Sequence, residues 1–278
     1  MFFFVTAVVT SALVSIFMRV SEKHVRNNIA MLAANYAMCT LLAFSYLPGF
    51  NPFPASEGAT RTALLGAFNG FLYLSGFVAL NWNIRQNGMV LSSTFMKLGV
   101  LVPTLMAIFF FGESPSALQL IGILAAVAAI VLIRSEKGSA RVKSSLGLLL
   151  LPLTGGMADG MSKVYEVYGS AELNSHFLLY TFLVAFVLCI LLAISKRQSL
   201  TVKDVLFGLL IGIPNYFTSR FLLLSLKSIP AIVAYPAYSV GAIVLVTLAG
   251  VLFFREKLSR RQVVALMVIM GALALLNL

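Results

Sequence analysis

The chain is 278 residues long, and 60% of its residues are hydrophobic while only 10% are charged. A soluble domain carries about 25% charged residues, so this composition excludes a globular surface in contact with water and indicates a chain solvated by a bilayer. The net charge of +11 does not indicate nucleic-acid binding, because the basic residues fall mainly between apolar segments, where they orient transmembrane helices.

Apolar segments recur along the chain at about 20 residues, the length that a helix needs to cross a bilayer. They predict an all-α integral membrane protein of about ten transmembrane helices. The predicted spans are residues 2–20, 29–47, 62–80, 88–111, 115–133, 145–165, 175–194, 204–226, 229–253 and 261–278. The first span lacks a preceding basic region and is long enough to cross the membrane, so we expect a helix rather than a cleaved signal.

Most of the 20 lysine and arginine residues lie in the odd-numbered loops, and few lie in the even-numbered ones. Because short cytoplasmic loops carry the excess of basic residues, the odd-numbered loops are predicted to be cytoplasmic and both termini to face outward. The expected location is the inner (plasma) membrane of the cell, as a multi-pass protein.

The second half of the chain repeats the first. Residues 110–119 and 253–262 share the pattern F-F-x-E-x-x-S-x-x-Q at an offset of 143, and the same offset pairs Tyr73 with Tyr216. The predicted repeats are residues 1–140 and 141–278, with five helices in each. Because five is odd, two such halves in series must insert with opposite orientations. This inverted-topology repeat around a central cavity is a recurring plan of secondary transporters.

The duplicated hairpins with Glu113 and Glu256, each followed by a helix rich in glycine and alanine, resemble the EamA-like branch of the drug/metabolite transporter superfamily. The resemblance covers nearly the whole chain. It implies two inverted five-helix repeats around a cavity, export or exchange of small metabolites, and no ATP hydrolysis. Many members are expected to keep both termini in the cytosol, and the loop charges of this chain predict the opposite orientation.

The two glutamates of the shared motif, Glu113 and Glu256, are interpreted as structural. A carboxylate in the first turn of a helix interacts favourably with the positive end of the helix dipole. We therefore expect these glutamates to begin helices five and ten, and a role in transport is the less favoured alternative.

Charged residues within spans are functional candidates, because they are costly in a bilayer. Lys97 lies near the middle of helix four, with Ser93 and Thr94 on its face, and Arg220 lies in helix eight near Tyr216. The predicted substrate-binding residues are Lys97, Arg220, Tyr73, Tyr216, Tyr238, Asn69, Asn215, Ser93 and Thr94. Two cations favour an anionic or zwitterionic solute, since arginine binds carboxylate and phosphate in a bidentate manner.

Asp159 and Lys163 lie four residues apart in helix six and are predicted to form an ion pair. If Asp159 instead faces the cavity alone, it could exchange protons for cationic drugs; Lys163 argues against this alternative, because it would hold Asp159 ionised. A lipid-intermediate flippase on the same fold is a further alternative.

A membrane enzyme is disfavoured, because the two histidines, His24 and His176, lie in loops predicted on opposite sides, and the common catalytic motifs are absent from the sequence. No cofactor or metal is expected. The expected partners are a small-molecule substrate and the lipid bilayer, with no nucleic acid, and a homodimer is left open.

Overall fold

The computed structural model describes residues 1–87, 92, 95–96, 98–134, 145–196, 200–254 and 260–276. Within these residues the chain forms ten α-helices and no β-strand, which confirms the all-α prediction. The helices are α1 (Phe2–Ser21), α2 (Asn28–Ser45), α3 (Ala59–Asn87), α4 (Leu101–Phe109), α5 (Ala117–Arg134), α6 (Ser145–Tyr168), α7 (Asn174–Ser195), α8 (Val202–Ser225), α9 (Ala231–Phe254) and α10 (Arg260–Leu276).

Helices of membrane-spanning length and hydropathy occur in both halves of the chain. In the described part of the sequence, six segments meet both criteria. They are Phe2–Ser21, Asn28–Ser45, Ala59–Ile84, Ala171–Ser195, Val202–Ser225 and Ala231–Phe253. Two shorter apolar helical segments, Leu98–Phe109 and Ala117–Ala128, accompany them. The chain is therefore a multi-pass membrane protein.

Helix α3 extends beyond its predicted end, through residues 81–87, where a break between two spans was expected. Asparagines are the reason for the difference. The Asn81 side chain donates to the Phe77 carbonyl at 3.0 Å, and Asn83 donates to the Ala79 carbonyl at 3.2 Å. An asparagine that bonds to the preceding turn is tolerated within a helix. Asn83 is also fully buried and donates to the Gly147 carbonyl of α6 at 2.7 Å.

The helices are grouped in two compact units, and each unit combines segments from both halves of the sequence. Unit 1 consists of Met1–Leu74 and Val164–Ser225, and unit 2 of Ser75–Lys163 and Leu226–Leu278. In unit 1, α2 packs against α7 and α8, and α1 packs against α8. In unit 2, α4 packs against α9, and α5 packs against α10.

Glycines set the closest helix contacts of unit 1. Gly66 of α3 lies so near α7 that a Cβ atom there would come within 2.8 Å of Tyr180 Cβ. Gly212 of α8 lies so near α2 that a Cβ atom would come within 2.6 Å of Met38 Cβ. Gly70 and Gly208 extend the two contacts by one turn each. Small residues four apart let membrane helices approach closely, since their association depends on packing rather than on the hydrophobic effect.

In unit 2, the core where α5, α9 and α10 meet is formed by Ala126, Val240 and Ala272, each at most 2% exposed. Helix α6 packs against α3, where Gly147 leaves room for Trp82 and Asn83. Small residues again occupy the contact positions, so close backbone packing organises unit 2 as it does unit 1.

A buried aspartate fixes the start of α8 to the loop between α1 and α2. Asp204 is 0% exposed. One of its oxygens, Oδ1, accepts from the backbone nitrogens of Arg26 at 2.9 Å and Asn27 at 3.3 Å, and Oδ2 accepts from that of Thr201 at 3.1 Å. Thr201 Oγ1 accepts from the Asp204 nitrogen in return. This reciprocal arrangement is a capping box, here with aspartate in the place of the usual glutamate.

Candidate substrate site

Helix α8 presents polar side chains to three neighbouring helices of unit 1. Its internal Pro214 frees backbone from the helical ladder, and the Pro214 carbonyl accepts from Thr218 Oγ1 at 2.8 Å. The contacts to neighbouring helices are Thr218 to Thr10 of α1 at 2.9 Å, Asn215 to Asn35 of α2 at 3.2 Å, and Ser219 to Tyr73 of α3 at 3.2 Å. This one helix therefore carries most of the polar residues predicted for the site in unit 1.

Arg220 is the last of the polar residues along this part of α8, and its side chain is half-buried. Its Nη1 donates to Tyr216 Oη at 3.1 Å and to Ser175 Oγ at 3.4 Å. The guanidinium Cζ lies 4.2 Å from the centre of the Tyr46 ring, which is a cation–π contact. Among the described residues, no carboxylate contacts Arg220. The predicted site residues Arg220 and Tyr216 are thus in contact. The groups around the positive charge of Arg220 are neutral.

Aromatic rings connect Arg220 to Tyr73 through the interior of unit 1. Tyr216 lies 5.8 Å from Tyr46 and 6.2 Å from Phe182, measured between ring centres, and Phe182 lies 5.9 Å from Tyr73. Tyr36 contacts both Phe182 and Tyr73. Tyr216 and Phe182 are fully buried, so they support the site as a packed layer rather than as an open surface.

Asn69 lies one helical turn before Tyr73 on α3 and is 3% exposed. Its Oδ1 has no hydrogen-bond partner among the described residues. A buried acceptor left unpaired costs about 1–3 kcal/mol. Asn69 is one of the residues predicted for the site, and its Oδ1 is an acceptor that the described residues do not pair.

In unit 2, Glu113 is positioned by the turn that ends α4. Gly112 adopts a φ of +68°, and the Glu113 nitrogen donates to the Ala107 carbonyl at 3.0 Å. A glycine in the left-handed region is common just after the end of a helix, and here the backbone bond that closes the turn spans six residues. The start of α5 has its own cap, since Ser116 and Gln119 exchange two side chain–backbone bonds of 3.1 Å each.

The Glu113 carboxylate therefore caps a different helix from the one that follows it in sequence. It accepts from the Ala231 nitrogen at 3.1 Å and the Ile232 nitrogen at 2.8 Å, at the start of α9. Lys163 of α6 lies 3.2 Å from the same carboxylate, and both side chains are largely buried. Glu113 was expected at the start of helix five, and the Ser116–Gln119 capping box occupies that position instead.

The other predicted residues of unit 2 lie on α6 and α9. Asp159 is exposed, and its carbonyl oxygen accepts from the Tyr235 hydroxyl at 3.0 Å. Tyr238 is half-buried. The predicted partner of Asp159, Lys163, contacts Glu113 and lies 5.9 Å from the centre of the Phe111 ring. Four further predicted residues, Lys97, Ser93, Thr94 and Glu256, lie outside the described residues.

Three contacts of the site were not expected from the sequence. Tyr46 and Ser175 contact Arg220, and Asn35 contacts Asn215. Tyr46 and Ser175 belong to the ends of helices, where a single sequence carries no signal of which distant residue they meet. Asn35 had a usable signal, because it is an isolated amide within an apolar span and is 6% exposed.

Comparisons with known proteins place the chain in a family. The EamA-like transporter family matches residues 1–135 and 146–278. An uncharacterized protein of Haemophilus influenzae is 27% identical over 266 residues, which cover 91% of this chain and 90% of that protein. The uncharacterized membrane protein YvaE of Bacillus subtilis is 45% identical over 58 residues, covering 21% of this chain and 49% of that protein.

A solved crystal structure of a protein has the same fold, with a TM-score of 0.78 at 15% identity over 99% of this chain and 94% of that chain. The family match spans nearly the whole sequence and confirms the resemblance stated above. Members of this family are membrane transporters rather than enzymes. The chain belongs to the EamA-like transporter family, within the drug/metabolite transporter superfamily.

Proposed function

We propose that the protein is a secondary active transporter, an exporter or exchanger, of a small polar metabolite that is anionic or zwitterionic. The observation that carries the proposal is Arg220, a cation on a membrane-spanning helix whose contacts among the described residues are all neutral. An ionisable residue at such a position is a functional site by default. A carboxylate or phosphate of the solute would supply the missing negative charge.

The proposed mechanism is alternating access between two inverted repeats, residues 1–140 and 141–278. The packing partners support this proposal. A two-fold repeat would exchange α1–α5 with α6–α10. Under this exchange the α1–α8 contact becomes the α6–α3 contact, and the α2–α8 contact becomes the α7–α3 contact. Both members of each pair are observed. The pairs α4–α9 and α5–α10 correspond to themselves. Such reciprocity is expected of a pseudo-two-fold axis.

Transport into proteoliposomes tests the proposal. Vesicles containing the purified protein are loaded with amino acids, sugar phosphates or cationic dyes, and exchange is followed with labelled solute. We expect exchange of at least one anionic or zwitterionic solute, lowered at least tenfold by Arg220→Gln and by Lys97→Ala. Movement of cationic dyes alone, abolished by Asp159→Asn, would instead establish the proton-coupled drug exporter. Translocation of a labelled lipid alone would establish a flippase.

We further propose that the odd-numbered loops are cytoplasmic and that both termini face outward, in the inner (plasma) membrane. Single cysteines test this orientation. A membrane-impermeant maleimide should label Ser56→Cys, in the second loop, on intact cells. It should label Lys23→Cys, in the first loop, only after the membrane is permeabilised. The reverse pattern would contradict the proposed orientation. The native Cys39 and Cys189 are buried and give little background.

A further inference from the structure

We propose that Glu113 and Lys163 form a latch that holds the start segment of α9 (residues 231–235) closed, and that this segment moves about Pro236 when the latch opens to admit solute from its side of the membrane. The inference rests on the proposed function, because such a latch acts only in a protein that alternates between two accessible states. It gives a gating role to Glu113, which was interpreted as structural, and to Lys163, which was expected to pair with Asp159.

The start of α9 depends on Glu113 for its hydrogen bonds. The first N–H groups of a helix have no acceptor within the helix. The Val233 N–H donates to the Pro230 carbonyl at 3.1 Å. Those of Ala231 and Ile232 donate to the Glu113 carboxylate, at 3.1 Å and 2.8 Å. Ala231 is 0% exposed and Ile232 is 2% exposed, so an open latch would leave two buried N–H groups without this acceptor unless the segment moved to water.

The start segment is attached to α6 by polar contacts. Lys163 Nζ lies 3.2 Å from Glu113 Oε1, and the two side chains are 12% and 16% exposed. One turn earlier on α6, the Asp159 carbonyl accepts from the Tyr235 hydroxyl at 3.0 Å. Bonds of this kind can be exchanged for bonds to water at a small net cost in free energy. They therefore suit a contact that is broken and remade during each transport cycle.

The remainder of α9 is held in a different way. Val240 is fully buried and packs with Ala126 of α5 and Ala272 of α10 in an apolar core. Pro236 lies between this part and the start segment. A proline within a helix removes the bond to the carbonyl four residues earlier, here that of Ile232, and bends the helix at that point. Helix α9 therefore consists of a start segment held by polar contacts and a remainder held by packing, with a hinge between them.

A single cysteine at Ser239 tests whether the latch controls access from one side. Ser239 is half-buried and lies one turn beyond the start segment. A membrane-impermeant methanethiosulfonate is added to either side of the membrane, in intact cells and in everted vesicles. Ser228→Cys, at an exposed position in the loop before α9, identifies the side on which α9 begins.

Glu113→Gln removes the negative charge of the latch. From the side on which α9 begins, we expect Ser239→Cys to react about tenfold faster in the Glu113→Gln background than in the parent, and from the opposite side more slowly. Glu57→Gln, which changes an exposed acid in a loop, is the matched control and should leave both rates unchanged. A loss of stability alone would raise the rate from both sides, and that result would overturn the latch.

Two further variants keep the test decisive if Glu113→Gln does not fold. Lys163→Met removes the ion pair and leaves the bonds from Glu113 to α9, so we expect a smaller change in the same direction. Pro236→Ala restores the helical bond to the Ile232 carbonyl and should cancel the change in either background. Unchanged rates in both Glu113→Gln and Lys163→Met would overturn the latch, and a change that persists with Pro236→Ala would overturn the hinge.

Failure of the proposed function is a separate result, because solute exchange is measured on the same variants in proteoliposomes. Exchange of cationic dyes alone would overturn the proposed solute class, while one-sided labelling of Ser239→Cys would still support the latch. Exchange of an anionic or zwitterionic solute, with labelling that does not depend on Glu113 or Lys163, would overturn the latch alone.

Discussion

Asp204→Ala should destabilise unit 1 by removing the acceptor for three backbone N–H groups. A hydrogen bond to a charged group contributes about 1.5–3 kcal/mol when buried and less when water can replace it. The bond from Asn27 is buried, whereas those from Arg26 and Thr201 are partly buried. Taking about 2 kcal/mol for the first and about 1 kcal/mol for each of the others gives about 4 kcal/mol in total.

The assay is thermal unfolding in detergent, followed by intrinsic fluorescence. At about 2 °C for each kcal/mol in a chain of this length, the midpoint for Asp204→Ala should fall by about 8 °C. Asp204→Asn keeps one acceptor oxygen and should fall by about half as much. Glu57→Ala, which removes an exposed acid from a loop, is the control. A midpoint for Asp204→Ala within about 2 °C of the parent would refute the assignment of Asp204 as a buried cap.

Three further substitutions test separate features. Asn69→Leu removes the unpaired buried acceptor. We expect it to raise the free energy of unfolding by about 1 kcal/mol and to lower the transport rate. An unchanged transport rate would remove Asn69 from the site. Glu113→Gln should lower the free energy of unfolding by about 1–3 kcal/mol. A double-mutant cycle with Lys163→Met should give a coupling energy above about 0.5 kcal/mol. Additive effects of the two substitutions would mean that the pair is not coupled. Gly212→Ala should lower the midpoint by several degrees because its Cβ meets α2, whereas Gly271→Ala, with open space around it, should leave the midpoint unchanged.

Much of the helical architecture could be predicted from hydropathy, because in a bilayer each spanning segment must satisfy its own backbone hydrogen bonds. Each observed helix overlaps a predicted span. The exception was the end of α3, where Asn81 and Asn83 resembled a loop in the sequence. Asparagine favours turns when its side chain hydrogen-bonds to nearby backbone groups in place of the helical hydrogen bonds. Here both side chains bond to carbonyls one turn earlier and stay within the helix.

The candidate site was less predictable, because its contacts join residues far apart in the chain. Arg220 and Tyr216 lie four apart on one helix, so their contact followed from helical spacing. The partners Tyr46 and Ser175 come from other helices and depend on how the helix ends meet. The contacts of Glu113 could not be predicted for a different reason. The S-x-x-Q pattern of the repeated motif signals a capping box for α5, and it left the glutamate available to α9, which no local pattern indicates.

The glycine contacts of unit 1, α3 with α7 and α8 with α2, affect the order in which the chain can fold during synthesis. Helix α2 is made early, yet its close-packed neighbours α7 and α8 belong to the second half. The buried amide of Asn35 has its Asn215 partner only after that half has been translated. If the first five helices insert before the second half is made, Asn35 enters the membrane without this partner. Two separately expressed fragments, divided near residue 140, should persist in cells when produced together and be degraded when either is produced alone.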